Sequence, residues 1–502
     1  MDKIGIPRAD ITLLLEGTYP FIRGGVSSWV HQIIQELPNF TFSLVFLGSN
    51  ATNYKEAKYK LPSNVVNLDC YFLMDPWHIG KPKPLQGNEK CFADAEHLHD
   101  YFREPASGLN ETLLKRILSD LVKGNLAPED FFYSKASWNR ICEKYSRFCK
   151  ETSFVDYFWT IRIIHGPLFK LARIAQRTPP SQVFHSISTG YAGFLGALLH
   201  NMTGRPLILT EHGIYTKERK IDLQTSYIQD QQDIFADLPE TGMSYHHYLW
   251  IRFFEGIGRL IYASADPIIS LYDRNRQRQI KDGADPVRTE VIPNGINLER
   301  FLPLRALRSN QVPPVLGLIG RIVPIKDIKT FIRAMRTICV HLPEAEGWLI
   351  GPEDEDEEYV QECKNLMVSL GLEQQVKFLG FQDINTMLPK LGLLVLTSIS
   401  EAFPLVIIEA YASGLPVLTT DVGACREIVE GKDAKDKALG HAGAVVPIAD
   451  PEATAKEALA LLTDEIKWKA AQTAAIQRVE HYYTQPKIIA RYREIYQGAM
   501  EK

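Results

Sequence analysis

The segment "TSISEAFPLVIIEAYASGLPVLTT", residues 397–420, sets two carboxylates between two apolar runs. A strand runs out at Thr397, Glu401 follows in the loop, and a helix opens near Pro404. Glu409 lies on that otherwise apolar helix, and "PVLTT" begins the next strand. The same rhythm runs from Val315 onward: "VLGLIG", "WLIG", "VKFLG", "LLVLT", "PVLTT" and "GAVVP" alternate with amphipathic helical stretches. Continuous apolar strands spaced by helices specify a parallel sheet covered on both faces, a doubly wound Rossmann-like domain.

The first half repeats the plan more loosely. "ITLLLEG" (11–17), "FSLVFLG" (42–48), "VVNLD", "VFHS" (183–186), "LILT" (207–210), "PIIS" (267–270) and "TEVIP" (289–293) are its strands. Between about 75 and 180, aromatic and charged residues at helical spacing replace the alternation, which predicts a helical insertion; a second is expected over about 217–262. The expected organisation is an α/β N-terminal domain over 1–297, a linker over 298–314 that ends in two prolines, and a second domain over 315–484. An amphipathic helix over 485–502 is expected to pack back onto the first domain. Two such domains facing across a cleft would carry ligand loops at the carboxyl ends of their strands.

Composition narrows the function classes. The chain has 502 residues, 45% hydrophobic and 23% charged, with formal net charge −4 and pI near 6.4. Nothing in that balance argues for electrostatic binding of nucleic acid. Seven scattered cysteines form no C-x-x-C pair, which argues against structural zinc and fits a reduced cytoplasm. "MDKIGIPRADITLLLEG" has no cleavage-site pattern and reads as a buried strand, and "GYAGFLGALL" (190–199) is too short to span a bilayer. A soluble, cytoplasmic chain is expected, with any membrane association peripheral. "NMT" (201–203) matches a glycosylation pattern by chance if the chain is not secreted.

The segment 400–423 resembles the E-x7-E signature of retaining GT-B glycosyltransferases of family 4, with Glu401 and Glu409 as its carboxylates. "GRIVPIKD" (320–327), "VKFLGF" (376–381) and "VIPNGINLERF" (291–301) stand in the family's order. "LLLEGTYPFIRGGVSSWVHQIIQELP" and "LTEHGIYTKERKIDL" look like the cytosolic glycosyltransferases of bacterial Pel exopolysaccharide synthesis. The resemblance implies transfer of a hexose or N-acetylhexosamine from a UDP-sugar to a polysaccharide acceptor, with retention at the anomeric carbon. It also implies membrane-embedded synthase subunits as partners, one of them a cyclic-di-GMP receptor.

The residues can be weighed beside it. Transfer from a nucleotide sugar needs positive charge at the departing diphosphate. Arg321 and Lys326 follow a strand end and can supply it, although two surface cations on a loop would look the same. The free N–H groups beginning at Leu405 add an anion site, and Phe403 precedes it. Many family members have glycine where this chain has Ala402 and Pro404, leaving fewer backbone donors here. Glu401 is placed to accept from donor-sugar hydroxyls and Glu409 from both ribose hydroxyls; the competing reading of Glu409 is a buried acid paired with a core arginine. The segment around Phe381 is expected to receive the base through backbone atoms.

Gly24 and Gly25 allow close backbone approach before a helix capped by Ser27 or Ser28, and the absence of G-x-G-x-x-G counts against a dehydrogenase. His212 follows a strand directly, where the resemblance implies contact with the donor sugar; a structural histidine is the alternative. His185 is a weaker candidate. Glu218 and Arg219 are acceptor-side candidates or solvated charges, and Asn294 and Gly295 shape the loop before the expected linker.

"EDEDEE" (353–358) contains D-x-D at Asp354 and Asp356, the pattern of metal-dependent transferases. Six acids opening a helix are favoured by its dipole and by solvent, so no metal and no other cofactor is expected. Two rivals share these features: a UDP-sugar epimerase or hydrolase, which would need no acceptor, and a non-catalytic nucleotide-binding subunit of a membrane synthase complex.

Overall fold

The computed structural model describes residues 9–76, 79, 81–104, 110–149, 153–218 and 245–502. It divides into two compact units: 1–270 with 276–290 and 493–502, and 271–275 with 291–492.

The first unit is built on seven strands: β1 (Ala9–Glu16), β2 (Phe42–Gly48), β3 (Val65–Phe72), β4 (Ser181–Ser186), β5 (Leu207–Glu211), β6 (Ile268–Ser270) and β7 (Thr289–Val291), in the order β3-β2-β1-β4-β5-β6-β7. All seven expected strands form. The pairs from β3 through β6 are parallel. Among the described residues, five helices, from Glu89–Arg103 to Phe154–Arg177, lie in the interval between β3 and β4 where the alternation disappeared. Of the second expected insertion, helix Tyr245–Ser264 is described.

The second unit carries β8 (Val315–Ile319), β9 (Glu346–Ile350), β10 (Val376–Gly380), β11 (Leu393–Leu396), β12 (Val417–Thr420) and β13 (Gly443–Val446), ordered β10-β9-β8-β11-β12-β13 and parallel throughout. Both faces are buried, as the unbroken apolar runs require: Leu393 and Val395 join one core, Leu394 and Leu396 the other. The strand order reverses at β8 and β11. Ligands in open parallel sheets bind beyond the carboxyl ends of such a switch point.

Two boundaries differ from expectation. The division falls at 290/291, and the stretch expected as a linker forms helix Leu298–Ala306 of the second unit. Asn297 caps it by accepting from the Glu299 N–H, and Phe301 and Leu304, one helical turn apart, are buried. The prolines that suggested a linker only end this segment. The last helix, Gln485–Met500, begins in the second unit and ends in the first.

Candidate functional site

In the second unit, three loops meet at the switch point. After β8, Pro324–Lys326 makes a single tight turn, closed by Asp327 in the left-handed region at φ 45°. Asp327 then caps helix Ile328–His341 by accepting from the Thr330 N–H at 3.3 Å, and it also accepts from Thr330 Oγ1 at 2.6 Å. The turn is tied to the end of β11: Thr397 Oγ1 donates to the Lys326 and Asp327 carbonyls at 2.9 Å, and the Ile399 N–H to Ile325 O at 2.8 Å.

This framework brings Lys326 onto Glu401. The Lys326 ammonium lies 2.5 Å from Glu401 Oε1, and Ser398 Oγ donates to the same oxygen at 2.7 Å. The pair is largely withdrawn from solvent, with side-chain exposures of 21% and 13%. Gly423, at φ +52°, permits the loop after β12 to press against this one; a Cβ there would lie 2.2 Å from Glu401 O. Ser398 is the residue the motif did not flag, although its spacing from Glu401 is that of a loop hydroxyl turned back on a carboxylate.

Helix Leu405–Ala412 starts beside Glu401, with Pro404 at its N-cap rather than in its first turn. No side chain caps it. Phe403 is buried edge-on against Tyr483 at 5.6 Å and so supports the loop from behind, while Leu405 is half-buried. Glu409 is half-buried and, among the described residues, in no ion pair, which removes the salt-bridged core acid as its explanation. Burial pushes its carboxyl above the ordinary range, opposed by the Arg300 charge.

Arg321 does not join Lys326. Its guanidinium binds Glu355 at 2.5 and 2.8 Å, on a pair that is about half exposed. Asp356 caps helix Glu357–Ser369 by accepting from the Tyr359 N–H, and Glu353 pairs with Lys364 at 2.7 Å. The acidic run therefore serves a helix start and surface pairs. Phe381 is exposed beyond β10. Asn294 is buried with Oδ1 lacking a hydrogen-bond partner, and Gly295 admits the backbone of Gln485, which a Cβ would approach to 2.9 Å.

In the first unit, helix Gly25–Glu36 begins after β1 with Gly24 at the N-cap; Ser27 is buried and Ser28 pairs with Tyr59 OH at 3.1 Å, so neither serine caps. No atom would obstruct a Cβ at Gly24 or Gly25 within 4 Å, leaving that loop surface open. His212 closes β5 against Trp29, ring centroids 4.6 Å apart, and its Nε2 is buried without a hydrogen-bond partner. Burial lowers its pKa to about 4, so the ring is neutral.

His185 is a correction. It is fully buried, with Nδ1 2.7 Å from Tyr496 OH and Nε2 2.9 Å from Thr210 Oγ1, so both nitrogens are engaged within the fold and neither faces a ligand. Glu218 is exposed, its carboxylate lying over Gly213, and Arg219 lies outside the described residues. Two acids that the motifs did not mark lie at strand ends here. Glu16 accepts from Tyr215 OH at 3.0 Å and from the Ala192 N–H at 3.1 Å. Glu211 is fully buried under Thr189, Tyr262 and Gln279, and burial raises its carboxyl.

A cation, a helix N-terminus and a carboxylate able to accept hydroxyl protons, gathered beyond one switch point, suit an anionic ligand carrying hydroxyls.

Comparison with known proteins agrees with this division. Residues 9–287 match the model described as "Domain of unknown function (DUF3492)", and residues 313–464 that of "Glycosyl transferases group 1". The UDP-Gal:alpha-D-GlcNAc-diphosphoundecaprenol alpha-1,3-galactosyltransferase of Escherichia coli is 25% identical over 49% of this chain and 59% of its own length. A D-inositol 3-phosphate glycosyltransferase of Streptomyces scabiei is 31% identical over 34% of this chain and 40% of its own. The match thus spans about half the length of these curated relatives. The crystal structure of Anabaena HepE in complex with UDP superposes with TM-score 0.60 at 17% identity, covering 97% of this chain and 100% of that one, which identifies the fold as GT-B.

Proposed function

Because the chain belongs to the DUF3492 family and continues into a group 1 glycosyl transferase module, we propose that it is a retaining glycosyltransferase that uses a UDP-sugar. The observation that carries this reading is the Lys326–Glu401–Ser398 cluster beside the uncapped helix start at Leu405. Lys326 offers charge to the departing diphosphate, supported by the first N–H groups of helix Leu405–Ala412. Arg321 assists on leaving Glu355. Glu401 and His212 hold the sugar hydroxyls, Glu409 accepts from the ribose, and the segment around Phe381 receives the base. In a same-face displacement the leaving phosphate oxygen takes the acceptor proton, while Lys326 and Arg321 rather than a metal offset the charge on the diphosphate.

The donor class is supported by the UDP-galactose named for the E. coli relative. The transferred group is proposed to be a hexose or N-acetylhexosamine and the acceptor a growing Pel-type exopolysaccharide, on the likeness of "RGGVSSWV" and "TEHGIYTKERK" to that system. Among the described residues no helix is long and apolar enough to cross a membrane, so docking to membrane-embedded synthase subunits, including a cyclic-di-GMP receptor, is proposed to be peripheral.

A panel of UDP-, GDP- and ADP-sugars, screened by thermal shift and then by nucleotide release with and without oligosaccharide acceptor, tests the reading. Acceptor-dependent UDP release in the presence of EDTA, giving an α-linked product from an α-linked donor, is expected. UDP release at equal rate without acceptor would assign a hydrolase instead.

A further inference from the structure

His212 poses a problem of orientation. A working imidazole is ordinarily fixed by a hydrogen bond to one nitrogen while the other acts. Here Nε2 is buried and unbonded, so the tilt of the ring is set by what it packs against. That neighbour is Trp29, from the first turns of helix Gly25–Glu36, meeting His212 edge to face at 73° and 4.6 Å. Trp29 also meets His185 edge to face, at 89° and 6.1 Å. His185 cannot yield, because Thr210 and Tyr496 hold its two nitrogens and all three residues are fully buried. The three rings form an edge-to-face cluster in which Thr210 of β5 and Tyr496 of the last helix hold His185 of β4.

We propose that Trp29, braced by His185, is the positioning residue that sets the angle at which His212 meets the donor sugar. This rests on the role given to His212 above. Trp29 touches no reacting atom in the scheme; it acts through His212 alone. The indole contacts both imidazoles, and its loss would let the His212 ring, whose Nε2 makes no hydrogen bond, rotate about χ2, a broad torsion. His185, whose nitrogens are both engaged, thereby serves the site at one remove.

A double-mutant cycle on the full chain tests this. Trp29→Leu is expected to lower kcat at least tenfold with donor KM changed less than threefold, and Trp29→Phe, which keeps an aromatic edge, to stay within about threefold of wild type. In the His212→Gln background, Trp29→Leu should cost nothing further. Losses that multiply in the double variant would overturn the inference, since Trp29 would then act independently of His212. A second readout needs no turnover. With 13C-labelled histidine, the His212 signal, assigned by its loss in His212→Gln, should titrate nearer to an ordinary imidazole in Trp29→Leu and stay as in wild type in Trp29→Phe. An unchanged titration in Trp29→Leu would overturn the inference even in an active enzyme. If wild type and every variant lack turnover while the titration shifts as expected, the proposed reaction fails and the positioning relationship stands.

Discussion

Lys326 and Glu401, 75 positions apart, meet at 2.5 Å because the strands that deliver them, β8 and β11, are hydrogen-bonded neighbours at the point where the strand order reverses. Each restrains the other. The ammonium is held against the carboxylate, which binds Lys326 and Ser398 through the same oxygen, Oε1. Exchange of Lys326 for Met should lower kcat about 100-fold or more, the scale for losing one charge-stabilising donor. It should also cost about 1–3 kcal/mol in urea denaturation, because Glu401 is left half-buried with only Ser398. Retained turnover would remove Lys326 from the chemistry.

The strands on either side of this pair were legible in the sequence because buried parallel strands are unbroken apolar runs, and all thirteen form where the runs lie. Glu401 and Lys326 were legible because motif and strand end coincide. The supporting residues were not. Tyr496 reaches His185 across 311 positions and Tyr215 reaches Glu16 across 199, and no local pattern encodes a contact at such separation. The helix Leu298–Ala306 was hidden for a different reason: its burial comes from tertiary packing of Phe301 and Leu304, against the prolines around it.

Arg321 tests whether the site rearranges with substrate. Its pair with Glu355 is about half exposed, where ion pairs contribute about 0–1 kcal/mol. Arg321→Ala should therefore leave urea stability within about 0.5 kcal/mol of wild type while lowering kcat about 100-fold. Glu355→Gln should preserve turnover, since it only releases the guanidinium. A Glu355→Gln enzyme as impaired as Arg321→Ala would show that the pair works as a unit instead.

Glu409 couples binding to stability with opposite signs. Its carboxyl is raised by burial with no ion pair among the described residues, so the unfolded chain ionises first as pH rises past 4.5. The stabilising contribution of the protonated form, complete below that pH, is lost as pH climbs through the folded-state value. Glu409→Gln is thus expected to be more stable than wild type at pH 7, where burial disfavours the charged carboxyl, and indistinguishable from it near pH 4. Calorimetry should show UDP binding weakened about tenfold or more in the same variant. Unchanged affinity would take Glu409 off the ribose.

His212 gives the opposite pH dependence. Its pKa falls from 6.5 to about 4 by burial, so on acidification the unfolded chain takes up a proton that the folded chain refuses. The stability present above pH 6.5 is lost as pH falls through about 4, by up to about 3 kcal/mol for this ring. His99 and His185, both lowered to about 3, add losses of the same sign. The melting temperature of wild type should drop steeply below pH 6, and that of His212→Gln less steeply, with the two curves parallel above pH 7. Between pH 6 and 8 the neutral ring should leave no inflection near 6.5 in kcat. An inflection there that disappears in His212→Gln would mean that the imidazole charges during turnover, and that its part is proton transfer rather than holding the sugar.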